Sequence, residues 1–235
     1  MNLVLVEPAE LVDGVATLGG RRAKHVYEVH RAREGDTLRA GVVGGRVGEA
    51  LVRRATPDAV ELALTLDADP PPPLAIDLVV ALPRPKFLLR VLQAASSLGV
   101  KRVVVVNAAR VEKSFFGSPS LEPEAIREHC LLGLEQARDT VLPEVLVRER
   151  FRPFVEDEAP ALWSGAKKLV AHPTAPRGNF PKLSGERAVV AIGPEGGWVP
   201  FEVELLAKAG FEPFTLGERI LRVDVAVTYA LAKLS

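Results

Sequence analysis

The chain has 235 residues, of which 48% are hydrophobic and 26% charged. That is enough apolar material for one large core or two modest ones, and it excludes a disordered polypeptide. Thirty Lys and Arg offset thirty Asp and Glu, so any affinity for nucleic acid has to come from local clustering and not from net charge.

A single cysteine, Cys130, excludes a disulfide framework or a cysteine-based zinc site within the chain and fits a reducing compartment. The first residues, Asn2-Leu3-Val4-Leu5-Val6-Glu7-Pro8, lack the basic start and long apolar core of a signal peptide. No apolar run approaches the ~20 residues of a membrane span. These features predict a cytoplasmic protein with no membrane partner.

In chain order, short β-like runs come first, at 2–6, 15–18, 37–43, 46–54 and 59–65, broken by glycine turns. They predict a small β-rich domain over 1–69, a barrel or curled sheet. Gly44-Gly45 is a hairpin signal because two glycines can both take the positive φ of a tight turn. Residues 21–54 carry nine Lys or Arg against four acids. This cluster reads either as a phosphate-contacting face or as a solvated surface that happens to be basic. His25 and His30 have no Cys or acid in ligand spacing and read as surface or packing residues, so no metal site is expected.

Pro70-Pro71-Pro72-Pro73 can neither continue a helix nor pair as an inner strand and marks a connector. The pattern then changes over 74–235. Residues 76–82 form an apolar run of strand length, 86–98 carry Phe87, Leu88, Val91, Leu92, Ala95 and Leu98 at helical spacing before Gly99, and 102–106 are β-branched. This is a β-α-β unit of a parallel sheet. Further on, Ser120 is placed to cap a helix to about 138, 144–147 predict a strand and 155–165 a helix. Strands at 168–171, 188–192 and 211–216 alternate with helices from Pro200 and over 224–234. Cys130, beside Leu131 and Leu132, reads as a core residue.

Three strand ends carry the chemistry: Ala171-His172-Pro173, Ile192-Gly193-Pro194-Glu195-Gly196-Gly197 and Leu216-Gly217-Glu218-Arg219-Ile220-Leu221-Arg222. In open α/β sheets, ligands bind beyond the carboxyl ends of the strands. Glycines there let the backbone approach a ligand, although a tight strand-to-helix turn would use them equally. The pattern matches neither a Walker loop nor the G-x-G-x-x-G fingerprint.

The last two motifs, in this order, resemble the signature of SPOUT-class RNA methyltransferases and, more narrowly, the RsmE family, which methylates N3 of a uridine in 16S ribosomal RNA. The segment Lys24-His25-Val26 to Arg31 with Glu34-Gly35-Asp36 is similar to the family's N-terminal part. Leu134-Glu135-Gln136-Ala137-Arg138 with Val141-Leu142-Pro143-Glu144-Val145 is similar to its middle helix. The resemblance implies a PUA-like N-terminal β-barrel that binds RNA, a C-terminal SPOUT α/β domain with a trefoil knot and parallel sheet, and a homodimer. It also implies S-adenosylmethionine held by His172, Pro173, Ile192, Gly193, Pro194, Gly196, Gly197, Leu216, Gly217, Ile220, Leu221 and Arg222.

Two positions depart from the family pattern: Ser97 stands where the family has Glu, and Val223-Asp224-Val225 stands where it has Thr-Glu-Thr. Methyl transfer to uracil N3 needs two oriented reactants and removal of a weakly acidic proton. The expected roles are Arg222 stabilising charge on the uracil carbonyls, with Asp224 or Glu195 orienting it or accepting the proton. A structural ion pair at a helix start is the alternative for Arg222 and Asp224. Arg21, Arg22, Lys24 and Arg31 are the expected contacts to 16S rRNA or the small subunit. Removing residues 1–70 is then expected to spare cofactor binding and abolish RNA methylation. Two other functions fit parts of the pattern: an RNA-binding protein of this fold without catalysis, and a nucleotide-metabolising α/β enzyme.

Overall fold

The computed structural model describes residues 2–173, 175 and 180–235. The chain divides into two units, Met1–Pro72 with Leu131–Leu142, and Pro73–Cys130 with Pro143–Ser235.

The first unit holds β1 (Val4–Val6), β2 (Leu11–Val12), β3 (Val15–Gly19), α1 (Gly20–Lys24), β4 (Thr37–Val42), β5 (Val47–Ala55) and β6 (Ala59–Ala68). They form one six-stranded sheet in the order β1-β4-β5-β6-β3-β2. β1 runs parallel to β4 and the other pairs are antiparallel. Alternation along the strands buries Leu18, Ala40, Ala50, Val52, Val60 and Leu62 on one face, as the period of two requires.

In the β4–β5 hairpin only Gly44 takes the expected positive φ, +74°. The N–H of Gly45 instead closes the turn on the Val42 carbonyl at 2.7 Å. The basic segment, which shows no strand pattern, is helical: α1 continues in wider turns over His25–Val29 and buries Ala23 and Val26 against the sheet.

Residues Leu131–Leu142 complete this unit. Leu134 is buried with Leu3 and Leu5. The Glu135 carbonyl accepts the N–H groups of Asn2 and Leu3, both at 3.0 Å, and the Thr140 carbonyl accepts that of Gly44 at 2.8 Å.

The second unit holds β7 (Ile76–Ala81), α2 (Pro85–Ser97), β8 (Arg102–Val106), α3 (Pro123–Ala137), β9 (Glu144–Arg148), α4 (Phe151–Pro153), α5 (Ala159–Leu162), β10 (Lys167–Ala171), β11 (Ala188–Ile192), α6 (Pro200–Lys208), β12 (Glu212–Phe214) and α7 (Val223–Leu234). The C-terminal part of α3 is counted with the first unit. The six strands form an all-parallel sheet in the order β12-β10-β11-β7-β8-β9. The mixed α/β character read from the sequence is therefore present, with its parallel sheet. The apolar strands β7, β8 and β11 are buried along almost their whole length, as strands covered on both faces must be.

α2 starts on Pro85 and buries Leu88, Val91, Leu92 and Ala95. It ends at Gly99, φ +82°, where the Val100 N–H reaches back to the Ala95 carbonyl at 3.0 Å, the bond that closes a glycine-terminated helix. Ser120 does not cap α3. It lies in a separate turn capped by the Ser118 hydroxyl, and α3 begins at Pro123. The helix read at 155–165 begins earlier, at Phe151, and comes in three pieces to Leu162 because Pro153 and Pro160 cannot donate helix bonds. Among the described residues, no helix is long and apolar enough to cross a membrane.

Candidate active site at the carboxyl ends of the parallel strands

Because every strand of the second sheet runs the same way, the loops at 82–84, 107–111, 172–173, 193–199 and 215–222 all leave the same edge. β7 and β11 are neighbours whose following connections lead to opposite sides of the sheet. That reversal opens a crevice for a ligand.

Side chains tie these loops together. Glu195 Oε1 accepts the Arg84 N–H at 3.1 Å, just before α2. Buried Glu202, on the first turn of α6, accepts the N–H of Ala109 at 2.7 Å and that of Val199 at 2.9 Å. Arg110 donates to the Gly196 carbonyl. The His172 N–H donates to the Phe214 carbonyl at 2.8 Å, joining the ends of β10 and β12. Burial holds the His172 imidazole below its ordinary value of 6.5, which favours the neutral ring.

The glycine turn is tight. Gly197 has φ +73°, and its N–H bonds to the Pro194 carbonyl at 2.8 Å. A Cβ on Gly193 would lie 3.1 Å from Trp198 Nε1 and 3.2 Å from the Trp198 backbone nitrogen. Trp198 is buried, and its Nε1–H has no partner among the described residues. In the loop after β12, Gly217 takes φ +115° with open space where a Cβ would point. Its N–H meets the Thr215 hydroxyl at 3.2 Å, and Ile220 is 93% exposed. Strands β12, β10 and β11 are neighbours in that order, so the three candidate cofactor segments emerge side by side.

Arg222 and Asp224 come together at the start of α7. Arg222 Nη2 donates to Asp224 Oδ2 at 3.2 Å. Arg90 of α2 brings Nη1 to the same oxygen at 3.6 Å. Both guanidinium groups lie over the Phe87 ring, 5.2 Å for Arg222 and 5.8 Å for Arg90. The Asp224 side chain is 11% exposed, and its buried Oδ1 has no partner among the described residues. Glu195 has a different contact, the cap at Arg84.

Sequence reading missed Phe87 and Arg90. Phe87 was counted with the apolar face of its helix, and Arg90 carries no local mark. Their spacing of three, which puts them on one side of a helix, was the available signal.

The basic candidates lie in the first unit. Arg21 pairs with buried Glu135 at 3.0 Å. Arg22 pairs with Glu10 and donates to the Leu5 carbonyl at 3.0 Å. Lys24, 4.0 Å from Glu28, is mostly exposed, as is Arg31, which adopts φ +53°.

The family model of the RNA methyltransferase domain matches residues 70–235. The ribosomal RNA small subunit methyltransferase E of Treponema pallidum is 32% identical over 238 residues, covering 99% of this chain and 90% of that protein. The protein of the same name from Synechocystis is 26% identical over 240 residues, covering 99% and 76%. The solved structure of ribosomal RNA small subunit methyltransferase E from Neisseria gonorrhoeae, bound to S-adenosyl methionine, has the same fold. Its TM-score is 0.75 at 23% identity, covering 98% of this chain and 96% of that one. With its full-length match to these relatives and a family model spanning the parallel-sheet half, the chain belongs to the ribosomal RNA small subunit methyltransferase E family of RNA methyltransferases.

Proposed function

We propose that the protein transfers a methyl group from S-adenosylmethionine to N3 of a uridine in 16S ribosomal RNA, in the cytoplasm where small subunits are assembled. The observation that carries this reading is the Arg222–Asp224 pair set beside three glycine-bearing loops at one edge of a parallel sheet, in a chain of this family.

The loops fit the cofactor. Gly193 lies where any side chain would press on Trp198, and Gly217 opens onto free space, so backbone groups can approach a flat, polar ligand closely. The unpartnered Trp198 N–H is a donor at that turn. His172, Pro173, Ile192, Gly193, Pro194, Gly196, Gly197, Leu216, Gly217, Ile220 and Leu221 would hold the cofactor, with Arg222 at its boundary with the base. S-adenosylmethionine supplies an electrophilic methyl group when bound.

The protein's own residues do the rest. Arg222 donates to a uracil carbonyl and offsets the negative charge that grows there as N3–H is lost. The Asp224 carboxylate takes the N3 proton. The bond between Glu195 and the Arg84 N–H supports giving that role to Asp224, and Glu195 then fixes the glycine turn to α2.

The parallel-sheet unit is read as a SPOUT domain with a trefoil knot, and the curled six-stranded sheet as PUA-like. Exposed Lys24 and Arg31 are its RNA contacts, with Arg21 and Arg22 holding the unit together beside them. The exposed Val225 and Tyr229 on α7 support a homodimer through that helix.

Labelled S-adenosylmethionine incubated with undermethylated small-subunit rRNA, followed by nucleoside mapping, tests the function. Label in 3-methyluridine is the expected result. Cofactor binding by calorimetry without any transfer would favour an RNA-binding protein that lacks catalysis.

A further inference from the structure

The side chains around Asp224 present more than a catalytic pair. Arg222 and Arg90 reach the carboxylate from α7 and α2, and both spend their contact on Oδ2. Each guanidinium has five N–H donors, so both keep donors to spare. They are 58% and 48% exposed, and Phe87 supports both planes from below. Oδ1 has no partner. Although it is covered in this arrangement, rotation about the soft terminal torsion of the carboxylate exchanges the two oxygens and brings unused lone pairs outward. Arg90, Ala94, Asp224, Thr228 and Tyr229 border an open groove of about 540 Å³ between α2 and α7, which is within the range of small-molecule sites.

We infer that Arg222, Asp224 and Arg90 form a donor–acceptor–donor reader for an unstacked uracil, with Arg90 as the residue that completes its specificity. The inference rests on the methyltransferase reading above. The pairing edge of uracil offers O4, N3–H and O2, an acceptor, a donor and an acceptor, which is the complement of guanidinium, carboxylate, guanidinium. Cytosine offers an amino donor, a bare N3 and O2. It would set its amino group against a guanidinium and its N3 lone pair against the carboxylate, leaving buried polar groups unpaired. The carboxylate that reads N3–H is the group that removes its proton, so recognition and reactivity depend on the same atom. Arg222 and Arg90 differ in position: Arg222 continues from the cofactor loop, whereas Arg90 sits on α2, away from the three glycine loops. Its loss should leave the cofactor site untouched.

The test uses the full chain and an rRNA fragment carrying either uridine or cytidine at the mapped position. Methyl transfer is measured for wild type, Arg90→Ala, Arg90→Lys and Asp224→Asn, with cofactor affinity by calorimetry and thermal melting for each. Wild type should methylate the uridine fragment and not the cytidine fragment. Arg90→Ala should lower kcat/KM on the uridine fragment by about tenfold or more with unchanged cofactor affinity and melting temperature. Arg90→Lys, which keeps one donor and the charge, should recover part of that loss. Arg90→Ala with wild-type kcat/KM would overturn the reader while leaving the methyltransferase assignment standing. A wild-type protein that binds the cofactor but methylates neither fragment would overturn the methyltransferase assignment, and the reader with it.

Discussion

Arg222 makes one short contact with Asp224 and rests on Phe87, and neither contact holds a buried core in place. Arg222→Ala should therefore leave melting and cofactor affinity close to wild type while lowering kcat by about 100-fold or more. Single-turnover transfer from labelled S-adenosylmethionine measures this, and a variant of normal rate would remove Arg222 from the chemistry. His172 shows how burial alone sets a charge state. Its folded value lies below 6.5 because the ring is desolvated, so the unfolded chain binds a proton more readily than the folded one. Its contribution to stability is full above pH 6.5 and is lost as pH falls through the folded value. His172→Gln should flatten the pH dependence of the melting temperature below 6.5. The flattening should be partial, because His25 is shifted the same way by burial and by its neighbour His30. Arg21 separates folding from RNA contact. Its partner Glu135 is buried, so Arg21→Ala should cost about 1–3 kcal/mol of stability through an unpaired carboxylate. Lys24→Ala and Arg31→Ala should instead leave melting unchanged and weaken RNA binding with a shallower salt dependence. Equal melting losses in all three variants would contradict this division.

At the scale of elements, the turn between sheet and helix and the bulge within the sheet depend on missing side chains in different ways. Gly48 sits at a register shift of β5 against β6, where a Cβ would fall 2.1 Å from the Thr65 carbonyl oxygen. The obstacle is backbone and cannot swing aside, so Gly48→Ala should destabilise the first unit by about 3 kcal/mol, read by denaturant titration. At Gly193 the added methyl would meet Trp198 at 3.1–3.2 Å, a conflict of a few tenths of an ångström. Gly193→Ala should fold and lose cofactor affinity, because the turn must shift to admit it. The sequence showed most of these elements: the runs that became β7, β8 and β11 are apolar and β-branched, and α2 and α7 carry helical spacing. It did not show α1, whose only buried side chains are Ala23 and Val26, too few for a period. It also overextended β12, where Pro213 restricts pairing at a sheet edge.

At the scale of the whole molecule, the segment Leu131–Leu142 belongs with the N-terminal unit although it follows most of α3 in sequence. Removing residues 1–70 would therefore uncover Leu134 and leave Glu135 without Arg21. The shortened chain is expected to aggregate and so cannot serve as a clean test of RNA binding. Surface substitutions at Lys24 and Arg31 replace it. If α7 is the face of a homodimer, Tyr229→Asp should yield a monomer by light scattering with an unchanged melting temperature at low concentration, since Tyr229 is 41% exposed and supports no core. The sequence by itself determined the two halves, the α/β character of the second, the three loops and the Arg222–Asp224 pair, because each of these is written in local periodicity or in residues two apart. Only the tertiary structure decided that Glu195 caps α2, that Arg21 and Arg22 are paired, and that Phe87 and Arg90 join Arg222. Each of these contacts depends on strand order and helix packing, which bring together residues as far apart as Arg21 and Glu135, 114 positions along the chain, and local pattern carries no information about such partners.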